Sequence, residues 1–214
     1  KVLEARQLAI KLLSNVTYGY TAAGFSGRMP MAELADAIVH SGRATLERTV
    51  RLIQSHPDWN AQVVYGDTDS VFVLLRGRSR EQAFDLGQEM AEYVTARNPP
   101  QVVLKFEKVY DPCVLVTKKR YVGQMFETRE QCRQNTPHLD AKGIEVVRRD
   151  QCPATVKMQE KVLRILFATR DLSQVRAYLS EQWGRMMQGG DSLLLRDFVF
   201  SKEVRFGRYA SQAS

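Results

Sequence analysis

Residues 63–75 read VVYGDTDSVFVLL, the clearest structural pattern in the chain. Two runs rich in β-branched and aromatic residues flank a short polar centre, a pattern that predicts a β-hairpin with its turn near residues 66–69. Side chains two positions apart project to the same side of an extended chain. We therefore expect Asp67 and Asp69 to face one way wherever extended geometry holds.

The two carboxylates of this turn have two interpretations. Like charges this close repel each other unless a cation neutralises them. Mg²⁺ prefers hard oxygen ligands and typically takes one or two protein carboxylates together with the phosphates of a substrate. Asp and Thr are also common turn residues, so Asp67-Thr68-Asp69 by itself favours a solvated hairpin tip.

Composition narrows the class of protein. The chain has 214 residues, 44% of them hydrophobic, and a formal net charge of +7, which favours a polyanionic partner but also fits a soluble basic protein. Its three cysteines match no zinc-site spacing and no closed disulfide set, which favours a reducing compartment. No apolar run is long enough to span a membrane, and the start inside a helical pattern suggests part of a longer chain.

The first twenty residues have the composition of a helix, with no Pro or Gly before Gly19. Lys11, Asn15 and Tyr18 recur at helical spacing and therefore share one face. Such a stripe can be a solvated face. It also offers a cation, an amide and a flat ring, which are the groups that a triphosphate and its base require.

The rest of the chain predicts an α+β fold. We expect a helix to about residue 54, the hairpin, a helix begun by a capping box at Ser79 and Gln82, and a strand region over 102–116. Residues 127–139 are predicted to be a loop, and helices follow from residue 153. The expected architecture is an antiparallel sheet covered on one face by helices.

Two further features lie within and directly after the second strand region. Residues 118–121 form a basic cluster that ends in an aromatic ring, which suits a phosphate backbone, although such a cluster can also be a solvated turn. Glu107 lies between lysines, and a simple surface ion pair is its plain interpretation.

These motifs together resemble family B DNA polymerases. Residues 65–70, YGDTDS, resemble the family's signature of that sequence, and residues 118–121 resemble its KKRY motif. Residues 6–20, RQLAIKLLSNVTYGY, are similar to motif B, whose core is Lys-x₃-Asn-Ser-x-Tyr-Gly, except that Val16 replaces the Ser. The Asn15-Val16-Thr17 form and the 25–30 segment favour one branch of the family over its delta and alpha branches.

The resemblance implies a polymerase palm preceded by a fingers helix and followed by a partial helical thumb. The segments are 1–23 for the end of the fingers, 24–149 for the palm and 150–214 for the thumb. The implied reaction is transfer of a nucleotide from a dNTP to a primer 3′-hydroxyl, assisted by two Mg²⁺ ions, and the favoured branch implies translesion synthesis. A delta-like replicative polymerase, a catalytically inactive DNA-binding palm and a structural subunit are the alternatives.

Residue roles follow from the same resemblance. Asp69 is the first choice as catalytic metal ligand, Asp67 the second, and Glu107 a secondary candidate near the metal. Contacts to the incoming dNTP are expected from Lys11, Asn15 and Tyr18. Contacts to primer–template DNA are expected from Lys118, Lys119, Arg120 and Tyr121.

The resemblance also implies features beyond this sequence. The family's first catalytic aspartate lies in motif A, which does not occur here, so we expect the chain alone to be inactive in primer extension. Accessory subunits are expected to bind through other segments, no membrane association is expected, and a nuclear location is implied.

Overall fold

The chain, described by a computed structural model over residues 2–25, 27–188 and 195–201, divides into two compact units. The first unit covers residues 1–106 and the second covers residues 107–214. The division into fingers, palm and thumb segments stays a prediction, and residues 202–214 of the expected thumb lie outside the described residues.

The first unit combines three helices with a two-stranded antiparallel hairpin. Its elements are α1 (Val2–Ala22), α2 (Ala32–Ser55), β1 (Ala61–Asp67), β2 (Ser70–Leu75) and α3 (Arg80–Ala96). Ile53 of α2, Trp59, and Met90 and Val94 of α3 form its core, against which Val63, Val71 and Val73 of the hairpin pack. The apolar side of the predicted hairpin therefore anchors the acidic turn.

Local signals explain where α3 begins and how it packs. The Ser79 side chain accepts from the Gln82 backbone N–H, and the Gln82 side chain accepts from the Ser79 N–H, which confirms the predicted capping box. At Gly87 a Cβ would lie 2.4 Å from the Phe106 ring, so the glycine lets this ring lie directly on the helix.

The second unit contains a three-stranded antiparallel sheet followed by helices. Its strands are β3 (Val109–Thr117), β4 (Arg120–Phe126) and β5 (His138–Lys142), in the order β3-β4-β5. Its helices are α4 (Arg129–Gln134), α5 (Pro153–Thr169) and α6 (Leu172–Gln188), with 3₁₀ helices at Glu145–Val147 and Leu195–Phe198. Val122, Ile144, Leu163 and Phe167 form the core between sheet and α5.

Two predicted boundaries were wrong. The strand expected over 102–116 begins only at Val109, because the Leu104 N–H donates to Thr95 Oγ1 at 2.9 Å and ties the preceding segment to the end of α3. The loop expected over 127–139 contains α4, which begins with a capping box between Thr128 and Gln131.

The observed mixture of helices and small antiparallel sheets confirms the α+β class. The described helices include none that is both long enough and apolar enough to cross a membrane. Cys113, Cys132 and Cys152 form no disulfide among the described residues.

Candidate active site

The acidic turn is a two-residue loop, Thr68-Asp69, that joins the paired ends of β1 and β2. The Asp69 backbone N–H donates to the Asp67 carbonyl at 2.6 Å, and Thr68 between them has φ 55°. A hydrogen bond across one residue with positive φ defines a classic γ-turn, a rare and strained conformation. The γ-turn at Thr68 thus lies inside the two-residue loop that reverses the hairpin.

Thr68 is an unusual residue for this conformation, because positive φ is a genuine outlier for a β-branched side chain. Hydrogen bonds of the turn hold it there. The Thr68 hydroxyl donates to Asp67 Oδ1 at 3.3 Å, and the Ser70 hydroxyl donates to the Asp67 carbonyl at 3.2 Å. The backbone at Thr68 is not extended, so the expected strand alternation does not govern the directions of Asp67 and Asp69.

The two carboxylates have different surroundings. Asp67 is half-buried at the end of β1, whereas Asp69 is exposed. In the part of the chain that the structure describes, the Asp69 carboxylate has no hydrogen bond or ion pair. Its oxygens are hard donors of the type that Mg²⁺ prefers, so the pair fits a divalent cation shared with substrate phosphates. Over the described ranges, no group of three or more His, Cys, Asp or Glu residues gathers around a common point.

The expected nucleotide-binding residues lie on α1. Lys11, Asn15 and Tyr18 follow one another at helical spacing and are all exposed, which places them on one face of the helix. No residue of α1 is buried, and the helix contacts α2. The face is therefore accessible for binding.

The basic cluster forms the tip of the β3–β4 hairpin in the second unit. Lys118 and Lys119 are the two loop residues, both are exposed, and Lys119 has φ 61°. Glu107 precedes this sheet and is also exposed. The ion pair that its lysine neighbours suggested is not formed among the described residues, since Lys108 pairs with Asp140 at 3.1 Å.

Arg120 and Tyr121, the last two residues of the cluster, contact other residues of the second unit. Arg120 Nη2 donates to Glu145 Oε1 in the 3₁₀ helix that follows β5. The Tyr121 ring meets the Tyr110 ring edge to face, with centroids 6.3 Å apart. Gly123 makes room for Tyr110, because a Cβ there would lie 2.7 Å from the tyrosine ring.

The carboxylate of Asp140 in β5 joins the beginning of β3 to β5. It accepts from the Tyr110 hydroxyl, from Lys108 Nζ at 3.1 Å and from Lys142 Nζ at 3.2 Å. Burial by itself would raise the pKa of Asp140, but these hydrogen bonds outweigh it and hold the pKa below its ordinary value. Burial, together with the Asp140 charge, raises the pKa of the Cys113 thiol to about 11.

The sequence did not predict the conformations or partners of several residues that shape these sites. Thr68 gives no signal, because its side chain argues against positive φ. Gly143 has φ 66°, and a glycine directly after a strand could have indicated a left-handed residue. Asp140 and Glu145 find partners more than twenty positions away in the chain, so no local pattern reveals their roles.

The acidic turn, the Lys-Asn-Tyr face of α1 and the lysine tip of the β3–β4 hairpin are the segments on which the sequence resemblance rests. The model of DNA polymerase family B matches residues 1–213, and the chain belongs to this family. Within it, the chain is similar to DNA polymerase zeta catalytic subunits. Identity is 55% to that of Arabidopsis thaliana over 100% of this chain, and 56% to that of Homo sapiens over 96% of it.

The delta branch is more distant. The DNA polymerase delta catalytic subunit of Bos taurus is 38% identical over 85% of this chain, which agrees with the preference for another branch drawn from the motif B segment. The chain spans 11% of the Arabidopsis zeta subunit and 6% of the human one, so it corresponds to a small part of those proteins.

Proposed function

We propose that this chain is the part of a zeta-type DNA polymerase that supplies carboxylates, nucleotide contacts and duplex contacts for nucleotidyl transfer. A primer 3′-hydroxyl attacks the α-phosphate of a dNTP, the new phosphodiester bond forms, and pyrophosphate leaves. Translesion synthesis and a nuclear location, both implied by the zeta resemblance, belong to this proposal. Accessory subunits are proposed to bind outside this chain.

The γ-turn of Thr68 carries the proposal. It presents two neighbouring carboxylates at the end of a hairpin whose strands pack on the core of Ile53 and Val94. Backbone strain of this kind persists where the surroundings overdetermine it, and it is concentrated at functional sites. A turn that served only to reverse the chain would be satisfied by Gly or Asn at this position.

Asp69, with Asp67, would hold the Mg²⁺ ions. Bound Mg²⁺ would stabilise the negative charge that develops on the attacking and leaving oxygens. Glu107 is kept as a secondary candidate in the neighbourhood of the metal. The protein's own part is positioning and charge neutralisation, because phosphoryl-type transfer asks for little acid–base chemistry from side chains.

The exposed face of α1 is proposed to bind the incoming nucleotide. Lys11 would offset the charge of the triphosphate, Asn15 would orient it through its amide, and Tyr18 would lie against the new base pair. The exposed position of all three side chains on one helix face supports these roles.

The tip of the β3–β4 hairpin is proposed to bind primer–template DNA. Lys118 and Lys119 are exposed at the tip, and lysine contacts to phosphates and to minor-groove acceptors depend little on sequence. Tyr121 is proposed to contribute from the adjoining strand. Arg120 belongs to the same predicted motif, but its ion pair with Glu145 supports a role in positioning the turn.

The metal role is tested by Asp69→Asn in the intact polymerase that contains this chain. The amide keeps the shape and removes the charge, so we expect turnover to fall by about a thousandfold or more while duplex affinity stays nearly unchanged. Single-turnover extension and duplex titration measure the two quantities. Asp36→Asn, which neutralises an exposed aspartate on α2, is the matched control and should behave as wild type. Near-normal turnover by the Asp69 variant would remove this residue from the metal site.

A further inference from the structure

Gly143 lies directly on the lysine turn. Its φ is 66°, and a Cβ at this position would lie 2.3 Å from the Lys119 carbonyl oxygen and 3.1 Å from Arg120 Cγ. Any side chain here would therefore collide with the backbone of the turn as well as strain its own. The residue that follows β5 therefore packs directly against the tip of the β3–β4 hairpin.

Arg120 extends this contact to two more elements. Its guanidinium donates to Glu145 Oε1 in the 3₁₀ helix, and the other Glu145 oxygen accepts from Gln159 Nε2 of α5 at 2.9 Å. The Gln159 amide, backbone hydrogen bonding and the Arg120 guanidinium hold the pKa of Glu145 below its usual range. The turn is therefore tied through one carboxylate to a helix that packs on the core of this unit.

The turn needs such support because Lys119 adopts a left-handed backbone conformation, φ 61°. A non-glycine residue in this region costs free energy unless the structure around it enforces the conformation. A turn held in one conformation before DNA arrives loses less entropy on binding than a mobile one.

We propose that Gly143, Glu145 and Gln159 form a turn support that presents the two lysines to duplex DNA, with Arg120 as a positioning residue acting through Glu145 rather than a DNA ligand. This inference rests on the proposed function, in which Lys118 and Lys119 contact the duplex. The Glu145 carboxylate occupies Arg120 Nη2, and Arg120 Nε is buried without a hydrogen-bond partner among the described residues, while 40% of the side chain is exposed.

The direction in which Glu145→Gln changes duplex affinity separates turn support from long-range electrostatics. Removing a negative charge beside a basic turn should strengthen binding to a polyanion if only long-range charge matters. If Glu145 instead supports the turn, Glu145→Gln should weaken binding, because the charge-assisted hydrogen bond that fixes Arg120 is lost.

The experiment measures binding of a fluorescein-labelled primer–template duplex to the intact polymerase by anisotropy over a series of salt concentrations. We expect Glu145→Gln to raise the duplex Kd at least about threefold, the size of effect typical for coupled neighbouring groups. Turnover at saturating duplex and the KM for dNTP should stay unchanged. Glu160→Gln is the matched control, since it makes the same substitution in an exposed α5 pair with Arg164, and it should not weaken binding.

Two more variants keep the test independent of folding losses. Gln159→Leu preserves side-chain size, removes only the second hydrogen bond to Glu145, and should raise the duplex Kd in the same direction. Arg120→Gln combined with Glu145→Gln should bind no more weakly than the weaker single variant, because both substitutions remove one interaction.

Lys119→Ala tests the DNA contact of the lysine turn separately from the support of that turn. We expect it to weaken binding and to reduce the salt slope by about 0.9 for one lost phosphate contact. Wild-type binding by this variant would overturn the proposed role of the turn and this inference with it. Weakened binding by Lys119→Ala beside wild-type or tighter binding by Glu145→Gln would overturn the turn support alone.

Discussion

Thr68 shows how one residue can decide the geometry of a site. Its positive φ closes a γ-turn between Asp67 and Asp69, although a β-branched side chain disfavours that conformation. The anchoring strands on either side supply the free energy that keeps it in place, because their apolar faces are packed on the core of the first unit. The turn can therefore be strained without unfolding.

Asp140 supports a prediction about acid stability. Asp140→Asn removes the charge that Lys108 and Lys142 share, and we expect it to lower the free energy of unfolding at neutral pH by about 2 kcal/mol. Urea unfolding followed by circular dichroism measures this difference. Glu160→Gln, which removes the exposed pair with Arg164, is the control and should cost about 0.5 kcal/mol or less.

The pH dependence of that difference has a definite sign. The pKa of Asp140 is lower in the folded chain than its ordinary value of 3.8, so its contribution is fully present above that value. The contribution is lost as pH falls through the folded pKa. We therefore expect the gap between wild type and Asp140→Asn to narrow below about pH 4. A gap that is constant from pH 6 to pH 3 would contradict the assigned ionisation.

At the scale of the element, helix starts in this chain are set by local hydrogen bonds. The box at Ser79 and Gln82 was readable from sequence, and it begins α3 where expected. The equivalent box at Thr128 and Gln131 follows the same rule and begins α4. It lies in the polar segment 127–139, for which the sequence predicts a loop. A six-residue helix has too little apolar periodicity to be recognised without its cap.

Ser79→Ala tests the cap. The substitution removes the acceptor for the Gln82 N–H, and we expect the free energy of unfolding to fall by about 1 kcal/mol. Chemical denaturation followed by Trp59 fluorescence reports on the first unit, since this tryptophan lies in its core. Ser41→Ala, at an exposed position of α2, is the control and should be neutral or slightly stabilising because Ala is the better helix former. Equal effects of the two substitutions would show that the cap contributes nothing.

At the scale of the whole molecule, the expected active-site residues are distributed over two units. The carboxylates and the α1 face belong to residues 1–106, and the lysine turn belongs to residues 107–214. Each unit has its own hydrophobic core, so each site is positioned by packing within its unit.

We expect the 214-residue chain by itself to show no primer extension. The resemblance places the family's first catalytic aspartate in motif A, which does not occur in this sequence, and the chain spans only 6% to 14% of the length of zeta relatives from human to Saccharomyces cerevisiae. Gel analysis of a labelled primer with dNTPs and Mg²⁺ measures this, with the intact polymerase as positive control. Extension by the chain alone that Asp69→Asn abolishes would contradict the need for further segments.

The sequence by itself determined the hairpin, the main helices, the cap of α3, the α+β class and the polymerase family, because periodicity, capping and short motifs are written in neighbouring residues. Tertiary structure alone decided that Arg120 turns to Glu145, that Asp140 joins Lys108 to Tyr110, and that Gly143 lies against the lysine turn. These contacts join residues that are 24 to 32 positions apart in the chain. They form only when the sheet and the helix have packed together. Local pattern carries no information about such partners, since the packing of the surrounding core selects them.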